Sequence, residues 1–378
     1  MNAIATREIM WNIPDSYKVI MYILFGISLL IFFKGIFTKY KFITGIGGLK
    51  SLLPQKLNWK NFFQTLFLQG KVKRDGFVGL FHAMIFYGFV ILWIATDLVA
   101  IHYDTPFKVF QGTTYIVVSF LADMAGIAIL VGIGLAYYRR YISKPAYLAA
   151  SKPAQEKYMY FMLVLLVLLG YKLEDLRLVG TGMPINESIW SPVGWALAKL
   201  IQSFHFSDEM LSTSFRITWL IHMINTMVFV ATIPYSKFLH FLTLPLAALL
   251  TPYRRGAVLN PMDFENEAAE TFGLGKLSEL TAKNKLDLIT CVECGRCTQV
   301  CPANLAGKPL NPKTIVTKAR DFASQATDTN ADLWQNPLYS SNELDACTTC
   351  GACMEECPAN IEHVNIIMEL KRYKALTL

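Results

Sequence analysis

The stretch Cys291–Pro302 reads CVECGRCTQVCP, with cysteines at Cys291, Cys294, Cys297 and Cys301 and a proline directly after the last. A second stretch, Cys347–Pro358, reads CTTCGACMEECP and repeats the spacing at Cys347, Cys350, Cys353 and Cys357. The spacing C-x2-C-x2-C-x3-C-P lets one tight loop point three thiolates at three irons of a [4Fe–4S] cubane. The fourth cysteine then serves the other cluster of a two-cluster domain. The expected ligand sets are Cys291, Cys294, Cys297 and Cys357 for one cluster, and Cys347, Cys350, Cys353 and Cys301 for the other. Paired C-x2-C motifs also bind structural zinc, but such a site closes with four ligands and has no use for the third cysteine or the Cys-Pro ending. The runs take all 8 cysteines of the chain, leaving none for a disulfide or a thiol nucleophile. Two clusters without a nucleophile point to electron transfer, and reduced thiolates to a reducing compartment.

Outside these runs the composition is that of a membrane protein. Of the 378 residues 53% are hydrophobic and 17% charged, with mean hydropathy +0.36, more apolar than a soluble domain of ordinary surface. Apolar stretches expected to cross a bilayer are Tyr17–Phe37, Gly76–His102, Thr113–Tyr138, Tyr158–Tyr171 and Ser214–Tyr235, the last continuing as helix toward Leu250. The N-terminus has no basic region or small-residue cleavage site ahead of its apolar run, so that run is expected to be a retained span. Lys39, Lys41, Lys50, Lys56, Lys60, Lys71, Lys73 and Arg74 follow the first span, and Arg139, Arg140, Lys144, Lys152 and Lys157 the third. Asp104, Glu174, Asp175, Glu187, Asp208 and Glu209 mark the other side. The asymmetry predicts the N-terminus outside and the C-terminus inside. The net charge of +7 is thereby accounted for by span flanks, and nucleic-acid binding is not expected.

The expected fold is all-α, in three parts: a five-helix transmembrane domain over residues 1–252, a linker with surface helices over 253–287, beginning at the polar shift after Tyr253–Arg254–Arg255, and a helical cluster domain over 288–378. Between the cysteine runs PKTIVTKARDFASQ reads as a helix, as does IEHVNIIMELKRYKAL after the second. In the outer segment Lys172–Ser212, the stretch IWSPVGWALAKLIQSF is either an amphipathic surface helix or a plain loop.

Ionisable groups inside a bilayer are rare and usually functional. His82, His222 and His240 lie in or beside spans, and His102 and His205 at outer ends. On one continuous helix His222 and His240 would face the same way, about 27 Å apart, as expected of ligands to two b-haems stacked across a membrane. Depth pairs His82 with His240 for an inner haem. It pairs His222 with His102 for an outer one, with His205 or no second protein ligand as alternatives. His363, beside the second run, reads as an ordinary exposed residue.

Two resemblances build on these residues. The segment HMINTMVFVATIPYSKFLHFLTLP, with its paired histidines and the Pro-aromatic-Ser-basic lead-in Pro234–Lys237, resembles the last span of the nitrate reductase gamma subunit family. That resemblance implies a five-helix di-haem cytochrome b. The family's second helix carries two histidines ten residues apart; here His82 fits the first position and Leu92 occupies the second. Residues 288–376 resemble the small iron–sulfur subunit of heterodisulfide reductase, which implies a helical ferredoxin domain with two [4Fe–4S] clusters. The succession of the two resembles the membrane subunits of electron-transfer-flavoprotein:menaquinone oxidoreductases. It implies a multi-pass protein of a prokaryotic cytoplasmic membrane with its ferredoxin domain in the cytoplasm. Electrons would pass between a cytoplasmic redox subunit (of CCG-domain, flavin, hydrogenase or dehydrogenase type), the two clusters, haem b and a menaquinone-type quinone pool. The substrate-facing part is expected on a separate subunit. The quinone is expected near the outer haem, where Lys108, His102 or Asp104 would handle a proton. The competing reading is a conduit to a periplasmic redox partner without quinone chemistry of its own.

Overall fold

A computed structural model describes residues 5–45, 52, 56–149, 151–252, 259, 262, 264–265, 271–326, 328, 330–334 and 338–377. Lys50, Tyr253, Arg254, Arg255 and much of the first half of the expected linker lie outside the described residues. The regular structure described is helical, and the one extended pairing among the described residues is an isolated bridge between Lys276 and Asp332. The chain divides into two compact units that interleave along the sequence. The first comprises Met1–Phe33, Gly76–Ser143 and Ala154–Ile233; the second comprises Lys34–Asp75, Lys144–Pro153 and Pro234–Leu378.

In the first unit run most of α1 (Asp15–Thr44), α2 (Gly76–Asp104), α3 (Gly112–Tyr137), α4 (Pro153–Gly180), α5 (Pro192–Gln202) and α6 (Asp208–Thr232). Among the described residues four segments are long and apolar enough to cross a membrane: Asp15–Thr44, Gly76–Asp104, Gly112–Ser143 and Asp208–Tyr235. The fourth expected span lies within α4, whose 28 residues make roughly 42 Å of helix. Glu156, Lys157, Lys172, Glu174, Asp175 and Arg177 flank its apolar centre. The outward faces are apolar, with Leu30 72%, Trp93 59% and Phe161 61% exposed, a surface that water would not tolerate and lipid would.

Because lipid offers no hydrophobic drive between helices, close approach there relies on small residues. A methyl at Gly88 of α2 would lie 2.8 Å from Ile129 of α3, and one at Gly132 of α3 2.9 Å from the Phe81 carbonyl oxygen of α2. The two helices interlock at these points. The segment read as amphipathic or loop contains α5. Its inward residues Ala198 and Ile201 are buried while Leu200 is 57% exposed. Its first turn is capped by Asp123 of α3, which accepts from the backbone N–H groups of Val193 at 2.7 Å and Gly194 at 3.2 Å.

The helix expected to carry both His222 and His240 is not continuous. α6 ends at Thr232, the chain passes through two short 3-10 turns, Ile233–Tyr235 and Lys237–Leu239, and His240 opens α7 (His240–Leu250). Pro234 has no N–H to continue the ladder. Ser236 takes an extended conformation, and its hydroxyl accepts from the Phe238 N–H to start the next turn. Helical periodicity therefore does not carry from one histidine to the other, and the same-face argument loses its premise.

In the second unit α8 (Ala282–Thr290), α9 (Pro312–Gln325) and α10 (His363–Leu376) surround the cysteine runs. Thr281 caps α8 by accepting from Asn284 N–H, and Asn311 caps α9 by accepting from Lys313 and Thr314 N–H ahead of Pro312 in the first turn. The core contains Leu274, Leu277, Leu288, Ile315, Val316, Ile366, Ile367 and Leu370, with Cys301 and Cys357 among them. Leu274 and Leu277, in the stretch expected to be linker, are thus core residues of the cluster unit. α7 joins the same unit through Ala247 and Leu250, which pack with Ile43, Ala282 and Leu286.

Candidate redox centres

The two cysteine runs adopt one backbone design. Glu293 and Thr349, each just before the second cysteine, have φ of 61° and 57°; Gly295 and Gly351, each just after it, both have φ of 77°. These left-handed residues curl the loop so that a short helix, Arg296–Gln299 or Ala352–Glu356, can start and carry the third cysteine. The N–H of Thr349 donates to Sγ of Cys347 at 3.5 Å, and the N–H of Glu293 serves Cys291 in the same way. Amide donors to sulfur are among the devices that set a cluster's potential.

The grouping of thiols crosses between the runs. Burial pushes Cys357 up to about 12, and its sulfur neighbours are Cys294 and Cys291. Cys297, raised by burial, has Cys294, Cys357 and Cys291 around it, with Cys353 of the second run the last of its sulfur neighbours. Burial pushes Cys353 up to about 12, with Cys347, Cys301 and Cys350 beside it. Cys301, Cys347, Cys350 and Cys353 line one small cavity. Four thiolates this close would repel one another without a cation, so the sites suit a metal centre that takes up the charge. Among the described residues no three His, Cys, Asp or Glu side chains close on a single ion.

Cations point at the backbone of these loops. Lys71 donates to the carbonyls of Met354 and Cys357, both at 3.2 Å. Lys371 donates to Cys347 O at 3.0 Å and Arg320 to Cys291 O at 3.2 Å. Arg74 pairs with Glu355 at 2.7 Å and Glu356 at 3.2 Å, and Arg296 donates to the carbonyls of Lys71 and Val72. Positive charge around a cluster favours its reduced form. Sequence reading assigned Lys71 and Arg74 to a basic span flank and missed this role, for which no motif signals. It also missed Glu293, which is 2% exposed. Burial alone would raise its carboxyl, but Lys237, the Lys152 N–H and Arg320 hold it at about 2.

The histidines divide between the units. His240, in the second, has Nδ1 2.5 Å from the carbonyl oxygen of Lys237. A carbonyl there fixes the Nδ1–H tautomer and leaves Nε2 with a free lone pair, as a metal-binding imidazole needs. His82, in the first unit, is half-buried and stacks on Phe86. His222, also in the first unit, has a buried Nδ1 without a hydrogen-bond partner and lies on the wall of a cavity of about 600 Å³, within the size range of cofactor sites. Leu92 lines the same cavity. Its polar end is formed by Arg7, Glu174 and Arg177, where Arg177 pairs with Glu174 at 2.9 Å and Arg7 with Glu174 at 3.6 Å. The orphaned imidazole nitrogen and the surrounding apolar walls fit a haem held by His222.

His102 uses Nδ1 to accept the Phe110 N–H at 2.9 Å. Its neutral form then carries the proton on Nε2 and offers iron no lone pair. Lys108 donates to the carbonyls of His102 at 2.7 Å and Thr105 at 3.2 Å, capping the end of α2. Asp104 accepts from the Tyr22 hydroxyl. His205 is exposed, with Nδ1 2.9 Å from its neighbour Ser203 O. His363 is not exposed as expected: it is 1% exposed at the start of α10, where the hydrophobic side chains of that helix pull it inward.

Residues 77–256 match the nitrate reductase gamma subunit family, and residues 290–361 match the 4Fe-4S dicluster domain. The chain joins a nitrate reductase gamma-like domain to a 4Fe–4S dicluster domain. Among curated relatives, the EtfAB:quinone oxidoreductase of Syntrophomonas wolfei is 30% identical over 96% of this chain and 55% of its own length. The probable iron-sulfur-binding oxidoreductase FadF of Bacillus subtilis is 30% identical over 84% of this chain and 49% of its own. One component of the ferredoxin/F(420)H(2)-dependent CoB-CoM heterodisulfide reductase of Methanosarcina acetivorans is 35% identical over 26% of this chain and 52% of its own. The chain thus spans about half the length of the curated relatives it matches. No solved structure matches it. The gamma-like, dicluster-bearing chain is therefore a membrane-associated iron–sulfur electron-transfer protein related to quinone oxidoreductases and heterodisulfide reductase subunits.

Proposed function

We propose that this chain is the membrane electron-transfer subunit of a respiratory oxidoreductase, passing electrons between a cytoplasmic redox partner, two [4Fe–4S] clusters, haem b and a menaquinone-type quinone. The observation that carries the reading is that one compact unit contains both cysteine groups and His240, whose Nδ1 is already committed to the Lys237 carbonyl. When bound, clusters and haem supply one-electron steps that the polypeptide alone lacks. The chain's own residues hold and tune them. Cys291, Cys294, Cys297 and Cys357 would ligate one cluster, and Cys347, Cys350, Cys353 and Cys301 the other. His240 would be a ligand of an inner haem. His222 would hold an outer haem, with His102 as second ligand only if its ring released the Phe110 amide. The quinone would react in the first unit, where Lys108 and the Glu174–Arg177 pair offer polar groups. With the cluster domain in the cytoplasm and the quinone at the outer side, each charge crossing is worth about 2.3 kcal/mol per 100 mV.

The test is anaerobic mixing of the oxidised protein in detergent with a reduced menaquinone analogue while following the haem b bands. Rapid, inhibitor-sensitive reduction is expected. Bands produced by dithionite but not by quinol would transfer the reading to a conduit, and no bands at all would refute the haem assignment.

A further inference from the structure

The two cysteine loops share their backbone but not their surroundings, and the difference lies at one position. Thr349 in the second loop is exposed, whereas Glu293, its counterpart, is buried in a cage. Glu293 accepts from Nζ of Lys237 at 3.0 Å and from the Lys152 N–H at 2.7 Å through Oε2, and from Arg320 through Oε1. The same Arg320 donates to the carbonyl of Cys291, and the hydroxyl of Ser151 donates to the carbonyl of Glu293 at 3.2 Å. The loop itself does not need a carboxylate, since Thr349 supports the same φ values without one. Lys237, 8% exposed, is the far end of the cage, and its carbonyl is the partner of His240 Nδ1.

We propose that Lys237 and Glu293 are positioning residues that tie the His240 imidazole to the loop of the first cysteine run, so that the haem ligand and the cluster ligands are held as one rigid piece. The inference rests on the reading of His240 and Cys291–Cys297 as redox ligands and deepens it. The continuous links are His240 Nδ1 to Lys237 O, Lys237 Nζ to Glu293 Oε2, and Glu293 covalently one residue from Cys294. A buried ion pair is worth little as a stabiliser against apolar replacement and is better explained by the register it fixes. Partners of this kind, one step out from the metal ligands, typically alter affinity or activity by about 10–100-fold when removed.

The experiment uses the full chain purified anaerobically with its cofactors, as wild type, Glu293→Gln, Lys237→Met and Lys237→Arg. The readouts are haem and iron content, the low-spin haem EPR signal, and the rate at which haem is reduced after the clusters are reduced. Glu293→Gln sets an amide N–H₂ against a cation, and Lys237→Met removes the cation. Both should retain iron and haem, shift the haem EPR signal, and slow haem reduction by about tenfold. Lys237→Arg, which keeps a donor for the carboxylate, should return both readouts toward wild type. If Glu293→Gln should fail to fold, Lys237→Met against Lys237→Arg decides alone. An unaltered EPR signal and rate in Lys237→Met with intact cofactors would overturn the positioning role. Wild-type protein lacking haem would instead overturn the ligand reading beneath it.

Discussion

Gly295 and Gly351 occupy the same place in the two cysteine runs and share φ of 77°, yet alanine should be tolerated very differently at each. In this left-handed region a Cβ costs about 1–2 kcal/mol on steric grounds alone. At 351 an added Cβ meets nothing within 4 Å, so Gly351→Ala should cost about that amount. At 295 it would lie 2.3 Å from the carbonyl oxygen of Tyr147 and 3.0 Å from its carbonyl carbon. Those are backbone atoms, which cannot rotate away. Restoring ordinary contact requires the 144–153 segment to retreat by roughly 1 Å, and such overpacking adds about 1–3 kcal/mol. At roughly 3 °C per kcal/mol for a unit of this size, the thermal midpoint should fall by about 5 °C in Gly351→Ala and about 10 °C in Gly295→Ala. Thermal unfolding in detergent under anaerobic conditions measures both, and EPR should show the cluster of the first run weakened selectively in Gly295→Ala. Equal shifts, or a larger one for Gly351→Ala, would refute the contact between Tyr147 and the first loop.

The crossed ligand sets predict that Cys291→Ala/Cys357→Ala loses no more cluster iron than either single variant, about half, whereas Cys291→Ala/Cys301→Ala loses nearly all; iron assay and EPR decide. His222→Leu and His240→Leu should each remove a different haem, so each should lower the dithionite-reduced b band by about half, and the double variant should abolish it. Burial lowers His363 to about 4, so the folded state resists its protonation, and stability is fully present above pH 6.5 and lost as pH falls toward 4, by about 3 kcal/mol. Burial raises Asp287 to about 6 against the pull of Lys283, so its contribution runs the other way, stability rising as pH falls from 6 toward 3.8. The wild type should therefore be nearly flat between pH 4 and 6, and Asp287→Asn should expose the histidine's acid lability; an unchanged slope in that variant would count against the burial of His363.

The metal chemistry was legible because it is local. A tight loop must place its sulfurs by spacing, so the runs at Cys291 and Cys347 announce themselves. The membrane helices were legible from apolar length, but their starts were not: the last begins at Asp208, capped by Ser207, rather than at Ser214. Continuity was not: Pro234 falls two residues past the end of α6, and only the extended Ser236 shows that His240 begins anew. Residues that act through long-range pairing left no trace. Glu293 resembles any loop glutamate until Lys237 and Arg320 are brought to it, and Lys71 resembles any basic flank until the Cys357 carbonyl meets it. His363 was misread because a polar letter beside a turn carries no record of the apolar helix face it opens.

The interleaving of the second unit sets an order of manufacture. Lys71, Tyr147 and Lys152 leave the ribosome well before Glu293, and Glu293 before Cys357, yet their hydrogen bonds all belong to one compact body. The cysteine loops cannot be fastened until the segments 34–75 and 144–153 are in place, and those segments are the connections between apolar helices. Iron–sulfur assembly on this chain thus follows the making of the segments to which the cysteine loops are fastened. A chain with a misplaced helix would present Glu293 and the carbonyls of Met354 and Cys357 without their donors, an unsatisfied surface that proteases and chaperones can recognise.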